Sequence, residues 1–341
     1  MSIKINGNMF RAFDIHGHPE NTIPSVWKIF HKGVPEDIAI KDFQRTGLNG
    51  GIISAIGDVN SFYPVKRNQT KSVYKQIECI KRKIAQAGYT IITSPDDLCA
   101  IMDHDKVGFI IGVEGGDFLQ ENIDILYNVY DAGVRCITLV HFSNNSIGDV
   151  CMDLEGNEPA SLKDNPRGLT DFGGKVVQTM NELGMIVDIA HSSERTAFEV
   201  LELSRAPVMC SHTGPRAMQN FPRFISNDLM VKIAKNGGII GMWLPYFKGF
   251  GPRNVEEFGD FVRYTVNVVG IDAVSIGTDF NGVPAYADGY SGLKDFHILG
   301  EVLFKKGFSK NDIEKIFIGN FKRFCYDISK YISPHIKSGT G

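Results

Sequence analysis

The sequence predicts one α/β domain folded as a (β/α)8 TIM barrel, and three observations predict it. Eight short apolar runs rich in β-branched residues are each bounded by Gly, Pro or polar residues. Segments of helical periodicity lie between them. The turn after the first run reads DIHGHPEN, not the GxGxxG phosphate turn that would favour an open, doubly wound sheet.

The runs cover residues 9–16, 50–57, 108–114, 134–141, 184–191, 207–212, 237–243 and 272–279. Each is too short for a buried helix, and unbroken apolar character suits parallel strands buried on both faces. Helical spacing marks residues 72–87, 123–132, 170–183, 195–204, 227–236, 255–269 and 292–306. In 170–183, Phe172, Val176, Val177, Met180 and Leu183 share one face. Ser226 or Asn227 is placed to cap the helix that follows, with Asp228 in its first turn. A last helix, 310–326, has Ser309 as its cap. No linker or internal repeat divides the chain. The barrel and its terminal helix are expected to span 1–328, with 329–341 a flexible tail.

Composition excludes several classes. The 36 Lys and Arg against 39 Asp and Glu give a net charge of −3, which does not support binding to nucleic acid or to an anionic membrane. At 43% hydrophobic and 22% charged, the chain is an ordinary globular sequence. No run approaches the ~18 apolar residues of a membrane span, and MSIKINGNMFRAFD has no signal-peptide core. The 6 cysteines are scattered, with no CxxC pair, as in a reduced, cytoplasmic protein.

Chemistry collects at the strand ends. The first run ends in His16-Gly17-His18, the third in GVEGG with Glu114, and the fourth in His141. The fifth ends in His191, the sixth in His212, and the eighth in TDFNG with Asp279. In a barrel all these ends open on one face, where sites are built. Of 9 histidines, these five fall at strand ends, whereas His31, His104, His297 and His335 lie in loops or helices. Residues i and i+2 of a strand point the same way, so His16 and His18 are spaced to grip one ion. Glu114 has two oxygens with which to bridge to a second ion held by His191 and His212. Imidazole with carboxylate suits Zn²⁺ first, with Mn²⁺, Fe²⁺ or Co²⁺ as alternatives. Two such ions hold a bridging hydroxide and polarise a carbonyl or phosphoryl oxygen. Asp279 is then the acid/base that takes the proton of that water and passes it to a leaving amine. His141 is open to three roles, as a metal ligand, a substrate-polarising group or a structural residue. Stabilising an oxyanion is the preferred one.

At these residues the chain resembles the membrane (renal) dipeptidase family of binuclear zinc peptidases, which includes cytoplasmic bacterial members. The likeness runs from about residue 13 to 324. It is densest in GLTDFGGKVVQTMNELGMIVDIAHSSERT (168–196) and PVMCSHTGPRA, with GVEGG, SIGTDFNGV and IGNFKRF also matching. It implies an amidohydrolase-like metal-dependent barrel that hydrolyses the amide bond of dipeptides with a bridging metal hydroxide. It implies a first metal on His16, position 18 and Glu114, and a second on Glu114, His191 and His212. It makes Asp279 the catalytic carboxylate and His141 the group at the scissile carbonyl. An Arg that binds the substrate carboxylate maps to Arg223, with Arg216 a rival by proximity. One departure stands out. Position 18 is His where the family has Asp, which removes a negative charge, lowers the pKa of the bridging water and weakens retention of the first metal.

The expected partner is a small-molecule dipeptide, with a homodimer as a possible assembly. Two other readings stay open. One is hydrolysis of another small amide, lactam or ester at the same site. The other is a non-catalytic metal-binding barrel. The polar stretches 21–39 and 143–166 fall on the active-site face, as a lid, a dimer contact or plain surface loops.

Overall fold

The structure is a computed structural model that describes residues 2–22, 35–63, 65–157, 159, 166–247 and 249–337. Its centre is a ring of eight parallel strands, helices outside. The barrel strands are β3 (Phe13–Asp14), β4 (Gly50–Ile56), β6 (Gly108–Glu114), β7 (Val134–Thr138), β8 (Ile186–Asp188), β9 (Met209–Thr213), β10 (Ile239–Met242) and β11 (Val274–Ile276). They follow one another around the ring in chain order. Three backbone hydrogen bonds join its two ends: Ile15 N to Ile276 O (3.0 Å), Asp279 N to His16 O (3.1 Å) and His18 N to Phe280 O (2.8 Å). The seam thus ties the His16–His18 segment to the one carrying Asp279.

The central strands are fully buried: GFIIGVE in β6 exposes no residue, as expected where helices cover a parallel sheet. Outside lie α1 (Gln69–Gln86), α2 (Pro95–Asp103), α3 (Ile123–Asp131), α4 (Asp171–Leu183), α5 (Glu194–Leu203), α6 (Asn227–Lys235), α7 (Val255–Val269), α8 (Phe296–Lys305), α9 (Lys310–Glu314) and α10 (Asn320–Ser329). Ser226 caps α6 by accepting from Leu229 N at 3.2 Å, with Asp228 in the first turn. Ser309 forms a capping box with Asp312.

The structure corrects four expectations. The run 9–16 is not one strand. Residues Asn8–Phe10 form β2, paired antiparallel with β1 (Ile3–Ile5), and the barrel strand is only Phe13–Asp14. Asn6 and Gly7 both have positive φ, at 49° and 80°, the geometry of a two-residue hairpin turn. From the fourth run onward the strands are shorter than their apolar runs, so several candidate ligands, His141 among them, sit just past a strand. The helix 310–326 is interrupted by a π-helical turn at Lys315–Gly319. Helix α2 and the short β5 (Thr90–Ile91), which pairs with β6, had no counterpart in the sequence reading.

At the chain's end, Ser333 N donates to Glu182 O at 2.8 Å, and Pro334–Lys337 make a helical turn, α11. Residues 338–341 of the expected tail lie outside the described residues. So do 23–34 of the stretch 21–39, and 158 and 160–165 of the stretch 143–166.

Candidate active site

Five imidazole Nε2 atoms surround one carboxylate. His16 and His191 lie 3.3 and 3.2 Å from Glu114 Oε1, with His212 at 3.5 Å. His18 and His141 lie 3.2 and 3.4 Å from Oε2. Asp279 Oδ1 stands 3.4 Å from His18 Nε2 and 3.9 Å from His16 Nε2. All seven residues are buried. The structure therefore brings together every sequence-predicted member of the cluster.

Backbone geometry helps to aim them. His191 and Asp279 have left-handed φ values of 66° and 58°, a conformation that costs non-Gly residues energy and is tolerated where the surroundings enforce it. Gly282 passes so close to the Asp279 carboxylate and the His18 ring that a Cβ would collide with both.

A second ring of groups fixes the imidazoles. Ser211 Oγ has one hydrogen and two lone pairs. The hydrogen goes to Asp188 Oδ2 at 2.6 Å. The lone pairs face Nδ1 of His212 (2.8 Å) and Nδ1 of His16 (3.2 Å). With Nδ1 of both rings directed at one oxygen, both Nε2 atoms face Glu114. Asp188 also accepts from Thr138 Oγ1, Ser211 N and Ala190 N at 2.6, 2.9 and 3.0 Å. His18 Nδ1 is 3.0 Å from Ser54 O. His141 Nδ1 is 2.8 Å from Asp58 Oδ1, which leaves its Nε2 facing the cavity. Asp58, Asp188 and Ser211 were not singled out in the sequence. Asp58 follows the second barrel strand in IGDVN, so the strand-end rule that found the histidines points to it as well.

The electrostatics divide the cluster. Burial drives His191 and His212 well below the ordinary imidazole pKa, helped by the nearby charges of Arg223, His141 and His16. Both are neutral, with lone pairs available. Burial also opposes charge on His18, but the facing carboxylates of Asp279 and Glu114 outweigh it and raise its pKa to about 10. Burial raises Glu114, yet the facing His141 and His16 outweigh that and hold it well below the usual carboxylate range.

This is a poor arrangement for protein atoms alone. His16 Nε2, Glu114 Oε1 and Asp279 Oδ1 are buried without hydrogen-bond partners. His191 Nε2 and His212 Nε2 face each other at 3.1 Å. Divalent cations satisfy such atoms. Two sets with metal-binding spacing share Glu114: His16, His18 and Glu114, and Glu114, His191 and His212. A third set, His16, Asp188 and His212, has its carboxylate already filled by four donors.

His18, Glu114, His141, His191 and Asp279 of the cluster line a cavity of about 850 Å³, together with Arg223 and Trp243. Arg223 is buried, and its Nη2 donates to His212 O at 3.3 Å. Its guanidinium lies 5.6 Å from the Trp243 ring centre. Among the described residues no carboxylate is within ion-pair distance of it. Arg216 is engaged elsewhere, 2.7 Å from Glu194 and donating to Phe224 O, and it does not line the cavity.

Fold and site define a (β/α)8 barrel with the donor set of a metallohydrolase. The family model for membrane dipeptidase (peptidase family M19) matches residues 31–335, and the chain belongs to that family. Dipeptidase 3 of Macaca fascicularis is 28% identical over 319 residues, covering 91% of this chain and 64% of that protein. Human Dipeptidase 3 is 27% identical over 333 residues, covering 94% and 66%. The chain thus spans just under two thirds of the length of these relatives. Among solved structures, the probable dipeptidase PvdM from Pseudomonas aeruginosa aligns with a TM-score of 0.81 at 22% identity, covering 94% of this chain and 96% of that one. A metallo peptidase from Rhodobacter sphaeroides, liganded with a phosphinate mimic of the dipeptide L-Ala-D-Ala, aligns at 0.78 and 17% identity, covering 94% and 100%. At these identities the structural likeness establishes the fold.

Proposed function

We propose that the protein is a metal-dependent dipeptidase that uses two divalent ions, zinc foremost. The observation that carries this reading is the ring of five Nε2 atoms around Glu114, with Asp279 beside it. His16, His18 and Glu114 would hold one ion, and Glu114, His191 and His212 the other. When bound, the ions would acidify the attacking water and polarise the scissile carbonyl.

The protein's own groups do the rest. Arg223 receives the substrate carboxylate, because its fork lacks an acidic partner and matches a carboxylate bidentately. His141 directs Nε2–H at the carbonyl oxygen, with Asp58 holding the opposite nitrogen. Asp279 takes a proton from the attacking water as the new C–O bond forms. It returns that proton to the amine nitrogen as the C–N bond breaks. Two amino acids leave. The free state of all six cysteines supports a cytoplasmic setting.

Asp279→Asn keeps the size of the side chain but cannot take up the proton. Turnover is expected to fall by about a thousandfold with metal content unchanged. The measurement is dipeptide hydrolysis alongside elemental analysis, with C-terminal L- and D-residues, lactams and esters in one panel. Undiminished hydrolysis in the variant would remove Asp279 from this role, and turnover of only lactams or esters would reassign the substrate.

A further inference from the structure

The cavity wall opposite Arg223 is basic, and we propose that it selects dipeptides whose N-terminal residue carries a side-chain carboxylate. The inference rests on the dipeptidase reading. Arg223 follows the sixth barrel strand, and helix α1 follows the second. In a ring of eight strands these positions are diametrically opposed. A dipeptide with its C-terminal carboxylate on Arg223 and its scissile carbonyl beside His141 therefore turns its N-terminal residue toward α1.

What it meets there is Arg67, Lys71 and Lys75, all lining the cavity. Lys71 and Lys75 are one helical turn apart on one face, about 6 Å along the axis. Arg67 lies one turn earlier in sequence, with its guanidinium 3.7 Å from the Tyr63 ring centre. Among the described residues, no carboxylate is within ion-pair distance of any of the three. The same helix shows what a neutralised lysine looks like. Lys83, two turns beyond Lys75, is 2.6 Å from Glu20.

The wall is anchored to the barrel. The Gln76 side-chain amide accepts from Ile56 N and donates to Ile56 O, both at 2.9 Å. This pins α1 to the end of β4. Unpaired cations lining one wall of a cleft raise the local potential for an anion and repel a cationic side chain.

The test is binding to the zinc-loaded Asp279→Asn chain by calorimetry. The probes are L-Glu-Ala and L-Gln-Ala, each with L- and D-alanine. Two partly exposed ion pairs predict that the acidic dipeptide binds about tenfold more tightly. The difference should shrink to near unity in the Lys71→Ala/Lys75→Ala double variant and in high salt. The unsubstituted chain should show the same preference in kcat/KM. Equal affinity for the two dipeptides, or a preference that survives the double variant, overturns the proposal. Hydrolysis of L-Gln-Ala as fast as L-Glu-Ala overturns it alone and leaves the dipeptidase reading standing. No binding by either probe overturns both.

Discussion

Ser211 shows how much of the site rests on a residue with no metal-binding chemistry of its own. Its single hydroxyl meets the Nδ1 atoms of His16 and His212 while donating to Asp188. These two histidines belong to different ligand sets, so one oxygen orients a member of each. Ser211→Ala removes the common acceptor and leaves both rings free to rotate. Metal retention is expected to weaken at both sets together by about tenfold or more, the range found for partners of ligating histidines. Ser211→Thr, which keeps the hydroxyl, should recover it. Metal content after dialysis against graded chelator reads this directly. Loss of one ion only, or an unchanged metal content with a lower melting point, would show that Ser211 packs the core without orienting the rings. The histidines were legible in the sequence because few residue types bind metal and five of these fell at strand ends. Ser211 was not. A serine inside MCSHT is unremarkable until the fold brings His16, nearly two hundred residues away, to the same oxygen.

Elements were legible to the degree that local pattern determined them. Helix α7 spans 255–269 as its periodicity requires, and β6 spans 108–114. The hairpin β1–β2 was missed although Asn6-Gly7 is a strong local turn signal, because the apolar run beyond it read as continuous. Helix α2 was missed because Pro95-Asp96-Asp97 reads as a loop, whereas Pro in the first turn and acids near the N-terminus favour a helix start. Its capping box is complete, with Ser94 accepting from Asp97 N at 3.2 Å and Asp97 from Ser94 N at 3.0 Å. Ser94→Ala should cost about 1 kcal/mol of stability with dipeptide turnover unchanged, measured by urea unfolding and the activity assay. Asp97 contributes to the same cap. Burial opposes its charge, but hydrogen bonds from Thr93 and Ser94 lower its pKa. Its contribution is therefore present above the carboxyl pKa of the unfolded chain and is lost as pH falls through the folded value. The Ser94→Ala difference should accordingly narrow in acid. A cost that is the same at neutral and acid pH would separate the cap from the Asp97 charge.

At the scale of the whole molecule, the small net charge conceals a strong internal division. Glu114, Asp279 and five imidazoles occupy one end of the barrel, while the apolar core fills the strands and the layer beneath the helices. Among the described residues, no helix is long and apolar enough to cross a membrane. That core includes none of the ligand side chains, so the chain should stay folded when metal is removed and lose only the stability that binding adds. Free ion at a thousandfold above its Kd adds about 4 kcal/mol per site, which for a chain of this size is on the order of 5–10 °C in melting temperature. Chelation, which removes both ions, should lower the melting temperature by about twice that amount, and added zinc should restore it. Glu114 is common to both ligand sets, so Glu114→Gln should melt like the chelated protein and respond little to zinc. His191→Ala should disable only the set it belongs to and retain part of the response. If Glu114→Gln kept the full zinc-induced rise, the two sets would not depend on their shared carboxylate, and a binuclear centre bridged by Glu114 would have to be abandoned.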